Sequence, residues 1–183
     1  MMRSQLLKCM FLTGCFVLSM VIRCESQPLW DLANQKKDLL RISTLFDAQS
    51  VRDHLSSEEG LDKAVEWCKK TGVTHVFVES FRDNYTAERN ALLRAKSRFG
   101  AEGFDVSGCV TPTQVGKPST GWNLISCYTD KKTQERLQQI FEYAASMFDE
   151  IMIDDFLFCD CECDECKAAR GDQRWADYHC DLM

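Results

Sequence analysis

The sequence lacks the features that mark several common functional classes. It contains no cluster of lysine and arginine, and 28 acidic residues against 22 basic ones give a formal net charge of −6. Because nucleic-acid-binding surfaces need basic patches, this balance argues against a nucleic-acid partner. A dinucleotide-binding glycine fingerprint and a phosphate-binding glycine loop are also absent, and none of the 3 histidines stands in a catalytic-triad setting. The informative residues are instead carboxylates and cysteines.

The apolar run near the amino terminus is short for a membrane span. Residues 9–22 are mostly apolar, follow Arg3 and Lys8, and precede the polar residues 23–27. About fourteen residues suit the core of a signal peptide better than a membrane-spanning helix, which needs ~20. We therefore predict a signal peptide over residues 1–26 and a lead-in over 27–39, with an uncleaved anchor as the alternative. The mature chain would be secreted or periplasmic, with no stable membrane partner.

Strand-like and helix-like segments alternate along the rest of the chain. Apolar runs at 40–46, 75–79, 104–111 and 148–153 are predicted strands, and the segments between them carry apolar residues at helical spacing. Helix starts are predicted at the capping box Ser56–Glu59, at Thr86 and at Asp130. This alternation predicts parallel strands joined by right-handed crossovers.

The predicted fold class is α/β, a partial (β/α)8 TIM barrel made of about the first four β/α units. Residues 40–183 supply only about half of the ~250 residues that a complete eight-unit barrel needs. The sequence ends within a helix-like segment, 172–183, which favours the amino-terminal half of a barrel. A smaller open α/β sheet is the alternative.

One segment places two acids directly after a predicted strand. Asp154 and Asp155 follow the apolar residues 151–153. Carboxylates at the carboxyl end of a parallel strand lie where α/β folds place their chemistry, so both acids are candidate catalytic residues. Strand alternation favours Asp154 for the inward direction, because β-branched Ile151 and Ile153 share a face with Asp155. A helix-capping role is the alternative for either acid.

Four cysteines follow these acids within a short segment and are candidate metal ligands: Cys159, Cys161, Cys163 and Cys166. Cysteines one residue apart give a disulfide poor geometry, whereas thiolates at this spacing can converge on a tetrahedral ion, usually zinc. Export favours disulfides, so a disulfide-rich domain is the alternative. Against it, the mature chain is long enough to build a core without cross-links.

Further polar and aromatic residues follow predicted strands at the same edge of the sheet. Asp47, Glu79, Arg82 and Trp122 are candidate substrate-binding residues. Carboxylates and arginine hydrogen-bond to hydroxyl groups, and an indole ring can stack on the apolar face of a sugar. The predicted partner is therefore an oligo- or polysaccharide. The alternatives are a solvated Arg82–Asp83 pair and a Trp122 that covers the edge of the barrel.

The motif Cys161-Glu-Cys163-Asp-Glu-Cys166, with Asp154-Asp155 upstream, resembles a feature of the family forty-two β-galactosidases. In that family a catalytic acid ends the fourth barrel strand and a C-x-C-x-x-C cluster contributes to a zinc site. The wider chain, from about residue 40, is similar to secreted bacterial proteins with glycoside-hydrolase-type barrels. This chain has Asp-Asp where the family has Asn-Glu. It also offers Cys109 or Cys127 in place of Cys159 as the fourth ligand.

The resemblance implies an exported glycoside hydrolase with a structural zinc ion. Asp154 or Asp155 would act as general acid or nucleophile, and a second carboxylate would lie beyond Met183. The chain by itself would then be inactive. Two alternatives stay open, namely a non-catalytic carbohydrate-binding or structural zinc module, and a disulfide-built domain without metal.

Overall fold

A computed structural model describes residues 29–183. The predicted signal peptide, 1–26, and the first two residues of the lead-in lie outside these described residues. The helices are α1 Leu29–Gln35, α2 Ala48–His54, α3 Glu58–Lys70, α4 Arg89–Ala101, α5 Lys131–Ala145, α6 Asp164–Arg170 and α7 Trp175–Asp181. The strands are β1 Ser43–Phe46, β2 His75–Arg82, β3 Tyr85–Thr86, β4 Asp105–Val110 and β5 Ile151–Ile153.

The strands form one sheet in the order β1-β2-β4-β5, and every neighbouring pair along this path is parallel. The short β3 pairs antiparallel with the end of β2 and closes a tight hairpin. Long crossovers containing helices connect the parallel strands, as parallel pairing requires. The predicted α/β class with parallel strands is confirmed, and the sheet is compatible with part of a (β/α)8 barrel.

Several predicted boundaries differ from the structure. The first strand begins at Ser43 rather than residue 40, and the fourth predicted strand begins at Ile151 rather than residue 148. The predicted capping box is wrong by one position, because Ser57 accepts the hydrogen bond from Gly60 N. Thr86 lies in β3 and does not cap the following helix, which begins at Arg89 without a side-chain cap. Asp130 caps α5 as predicted.

The main core lies between one face of the sheet and the helices that cover it. Val76 and Val78 on β2 are completely buried against apolar residues of α3 and α4, including Leu61 and Leu92. Burying side chains of this size stabilises the fold by about 1.5–3 kcal/mol each. The alternate residues of β2, among them Glu79, therefore face the opposite side of the sheet. Within residues 29–183 the helices are too short or too polar to span a bilayer.

Candidate functional site

Polar side chains from neighbouring parallel strands meet at the carboxyl edge of the sheet. Glu79 and Arg82 come from the end of β2, Thr111 follows β4, and Asp154 follows β5. The strands β2, β4 and β5 are consecutive neighbours in the sheet, so their ends are adjacent in space. This arrangement brings two of the predicted substrate-binding residues together with one of the two predicted catalytic acids.

Glu79 is a fully buried carboxylate surrounded by donors. Its Oε2 atom accepts hydrogen bonds from Ala48 N at 2.8 Å and from Arg82 Nε at 2.9 Å. Its Oε1 atom accepts from Arg82 Nη2 at 3.1 Å and from the Thr111 hydroxyl. Its side chain is 0% exposed, and its two contacts with the guanidinium hold Arg82 in place. In the structure Glu79 supports Arg82, and its predicted contact with a sugar stays a prediction.

Arg82 joins Glu79 to Asp154. Its Nη2 atom donates to Asp154 Oδ2 at 2.8 Å and to Thr111 Oγ1 at 2.9 Å. Burial alone would lower the pKa of Arg82, but the hydrogen bonds and charges of Glu79 and Asp154 raise it above the usual value. The guanidinium is therefore a permanent positive charge at this edge. It pairs with these two acids and not with Asp83, so the alternative of a solvated Arg82–Asp83 pair does not hold.

Asp154 is partly exposed and has one oxygen in use. Its Oδ2 atom accepts from Arg82 and lies 3.2 Å from Thr111 Oγ1, whose proton goes to Glu79, and its side chain is 24% exposed. No donor among residues 29–183 contacts the other oxygen, Oδ1, which leaves it for a ligand. Asp155 is exposed and stands outside this group. The structure thus places the two predicted catalytic acids in different environments.

Asp47 has a structural contact that the sequence analysis did not assign to it. Its Oδ1 atom accepts a hydrogen bond from Ser50 N at 2.6 Å and caps the amino terminus of α2. The backbone N–H of the next residue, Ala48, donates a hydrogen bond to Glu79. The first turn of α2 therefore donates hydrogen bonds to both acids, and the predicted substrate-binding role of Asp47 stays a prediction.

Trp122 lies against the segment that follows Asp154. Its ring is 45% exposed, and its centroid is 5.3 Å from that of Phe156 and 6.5 Å from that of Phe158. Its backbone N–H donates to Asp160 Oδ2 at 2.7 Å. The loop that carries Trp122 is therefore attached to the segment that carries the acids and the cysteines.

A second group at this edge consists of four cysteines whose sulfur atoms lie within 4.8 Å of one another: Cys127, Cys161, Cys163 and Cys166. The Sγ atom of Cys166 is 3.5 Å from those of Cys127 and Cys163. Four sulfurs at about 2.3 Å from a tetrahedral ion are separated by about 3.8 Å, so this geometry fits such an ion. All the cysteines among residues 29–183 have free sulfurs.

The fourth member of this group is Cys127 and not Cys159, which corrects the predicted ligand set. Cys159 is buried beside Tyr128 in an apolar cluster, and burial raises the pKa of its thiol. Cys127 enters the group because the loop before α5 folds back over the 159–166 segment. Cys109, the other alternative, instead contacts Glu79 with its sulfur. Only the three-dimensional path of that loop distinguishes these choices.

Polar groups surround the four sulfurs. Thr129 Oγ1 lies 3.0 Å from Cys166 Sγ and is held by Tyr178 at 2.7 Å, while Lys117 Nζ lies 3.5 Å from Cys163 Sγ. Burial raises the pKa of Cys127 and Cys166. In Cys161 the same effect of burial is outweighed by backbone hydrogen bonds from Cys163 and Thr120, and its pKa falls to about 6. A metal ion bound here would therefore displace protons from buried thiols.

Comparisons with known proteins give two matches. A family model described as "Probable glycosyl hydrolase, catalytic domain" matches residues 27–183. An uncharacterized protein from Saccharolobus solfataricus is 31% identical over 107 residues, which cover 55% of this chain. The matched region spans 17% of the length of that relative. No solved structure matches the chain significantly.

Proposed function

This chain belongs to the family of probable glycosyl hydrolase catalytic domains, and on that premise we propose that Asp154 is a catalytic carboxylate of an exported glycoside hydrolase. One observation carries the proposal. Asp154 is held by Arg82 at the carboxyl edge of a parallel sheet, its side chain is 24% exposed, and its Oδ1 atom accepts no hydrogen bond from residues 29–183. This is the edge at which barrels of parallel strands assemble their active sites. The substrate class is an oligo- or polysaccharide.

The contacts of Asp154 favour the role of nucleophile or base. Its Oδ2 atom accepts a hydrogen bond from the Arg82 guanidinium at 2.8 Å, so the carboxylate functions as an acceptor. A general acid must instead give a proton to the leaving oxygen. Arg82 fixes the direction of the carboxylate, and the buried Glu79 fixes Arg82. The free Oδ1 atom then meets the sugar.

Glycoside hydrolysis also needs a second carboxylate on the other side of the scissile bond. Among residues 29–183, Glu79 is buried and Asp47 caps a helix, so neither is placed to serve as that partner. Asp155 is exposed and free of the Arg82 group. We propose that the second carboxylate lies outside the residues that the structure describes.

We further propose that the four-cysteine group binds zinc as a structural ion. Four sulfur ligands close a tetrahedral site and leave no position for substrate, so the ion would cross-link the loops around it and take no part in catalysis. Cys127 and the 161–166 segment would hold it. The resemblance to the family forty-two β-galactosidases supports this assignment. Export rests on the signal-peptide pattern of residues 1–26, which lies outside the described residues.

The test is hydrolysis of a panel of oligosaccharides and aryl glycosides by the complete protein that carries this sequence. We expect Asp154→Asn to lower kcat by about 10²–10⁴-fold, the range for losing a catalytic carboxyl group. Asp155→Asn is the matched control, and we expect it to change kcat only a few-fold. Equal losses in the two variants would contradict the assignment of Asp154.

A non-catalytic carbohydrate-binding module is the second candidate. The observation in its favour is that Asp154 is the one partly exposed acid that Arg82 contacts within residues 29–183. Binding of sugars by the complete wild-type protein, without hydrolysis of any of them, would support this candidate and overturn the enzyme. Hydrolysis that Asp154→Asn abolishes would exclude it.

A further inference from the structure

We propose that Trp122, Phe156 and Phe158 form an aromatic platform that binds a pyranose ring next to Asp154, and that Asp160 positions this platform. The inference rests on the proposed function, because the ligand it names is the oligosaccharide of that site. It adds a specificity-determining surface, made of two phenylalanines that the sequence analysis did not assign and of one positioning acid. The platform is defined here as the rings of these three aromatic residues.

The three rings are grouped and remain open to solvent. Trp122 is 45% exposed and Phe158 is 38% exposed, whereas an aromatic ring in the core, such as Phe81 or Phe99, is 0% exposed. Phe158 lies nearly parallel to Trp122, with an interplanar angle of 29°. Phe156, half-buried, is tilted by 54° against Trp122. Large rings gathered at a surface indicate a binding site more strongly than scattered ones do.

The platform is adjacent to the acid in the chain and in space. Phe156 stands two residues after Asp154, and its backbone N–H donates to the Asp154 carbonyl at 2.6 Å. Phe156 is therefore close to Asp154 along the backbone, and the proposal is that a sugar ring stacked on Phe156 and Trp122 reaches the Asp154 carboxylate. An aromatic surface next to a charged pair matches a pyranose, whose C–H face is apolar and whose hydroxyl groups are polar. A purely apolar partner would leave Arg82 and Asp154 without hydrogen bonds from the ligand.

Asp160 fixes the loop that carries Trp122. One of its carboxylate oxygens accepts the hydrogen bond from Trp122 N at 2.7 Å, and the other accepts from the Ser119 hydroxyl. The contact is close enough that a Cβ atom at Gly121 would overlap the Asp160 carboxylate. Glycine at that position is thus required for this approach. The two hydrogen bonds that Asp160 accepts come from the loop backbone and from Ser119, so the role we assign to Asp160 is positional.

The test compares variants of the complete protein in binding and hydrolysis of maltotetraose, cellotetraose and β-1,4-galactotetraose. For the sugar that is hydrolysed, we expect Trp122→Ala to raise KM about tenfold with little change in kcat, because stacking binds substrate and transition state alike. Phe158→Ala should raise KM less, and Trp122→Phe should restore most of the affinity. Asp160→Asn should raise KM in the same direction as Trp122→Ala while leaving kcat unchanged.

Trp67 supplies the matched control. It is 50% exposed on α3, away from the carboxyl edge, and we expect Trp67→Ala to leave KM unchanged. If Trp122→Ala leaves KM unchanged, as Trp67→Ala does, while hydrolysis continues, the proposed platform is wrong and the proposed function stands. If the wild-type protein binds none of the three sugars and hydrolyses no member of the wider panel of oligosaccharides and aryl glycosides, both are overturned. Loss of kcat in Asp160→Asn with KM unchanged would overturn the positional role of Asp160.

Discussion

At the scale of single residues, the site depends on one buried charge. Glu79 has no exposed surface, and its two oxygens receive hydrogen bonds from Ala48, Arg82 and Thr111. Isolated carboxylates are costly to bury, so this one is tolerated because Arg82 neutralises it. The same arginine then orients Asp154, which couples the stability of the sheet edge to the geometry of the candidate catalytic acid.

We expect Glu79→Ala to destabilise the protein by about 3–5 kcal/mol. The partly buried Arg82 would lose one of the two carboxylates that neutralise its charge. Urea unfolding followed by circular dichroism measures this change. The control is Glu59→Ala, which removes an exposed ion pair with Lys63 and should leave the unfolding midpoint nearly unchanged. Equal midpoints for the two variants would show that Glu79 is not the anchor described here.

The sequence allowed part of this residue-level arrangement to be predicted. Strand alternation favoured Asp154 over Asp155 for the inward direction, and the structure places Asp154 in the Arg82 group. It did not reveal that Asp47 and Glu79 both serve the first turn of α2. Those contacts depend on where α2 begins relative to β2, and residues 48–54 carry too little helical pattern to predict that helix.

At the scale of elements, two irregular segments are held together by side chains. Residues 112–130 and 154–163 contain little regular structure, and Glu162 N donates to Thr120 Oγ1 at 2.8 Å between them. Lys117 also forms an ion pair with Glu165 in the adjoining helix α6. The four sulfurs join the same two segments, since Cys127 comes from the first and the other three from the second or just beyond it. Such cross-links stabilise these segments, which lack the regular hydrogen bonds of a helix or sheet.

We expect the protein to bind one zinc ion, and Cys127→Ala to abolish stoichiometric binding because it removes one of four ligands. Zinc content after dialysis, measured by elemental analysis, reports this. Cys159→Ala is a matched control, since Cys159 lies in the same segment but outside the sulfur group. Retention of zinc by Cys127→Ala together with its loss in Cys159→Ala would restore the ligand set predicted from the sequence.

At the scale of the whole molecule, the parallel sheet was predictable and its small elements were not. The alternating periods of apolar residues identify β1, β2, β4 and β5 and the longer helices α3, α4 and α5. The two-residue strand β3 depends on a turn in which Asp83 and Asn84 have φ angles of 51° and 58°, without the glycine that usually marks such a hairpin. The short helix α6 contains Cys166 of the sulfur group, and no periodic pattern of apolar residues in the sequence predicts it.

The number of usable carboxylates leads to a prediction for the molecule as a whole. We expect the 183-residue chain by itself to bind oligosaccharides without hydrolysing them, because Asp154 would lack the second acid that flanks a glycosidic bond. Calorimetric titration with the sugar that the complete protein hydrolyses, paired with a reducing-end assay, separates binding from turnover. Trp122→Ala should weaken this binding, and Asp154→Asn should leave turnover at zero. Hydrolysis by the isolated chain that Asp154→Asn removes would instead mean that both acids lie within it, and Asp155 would then be the first residue to test.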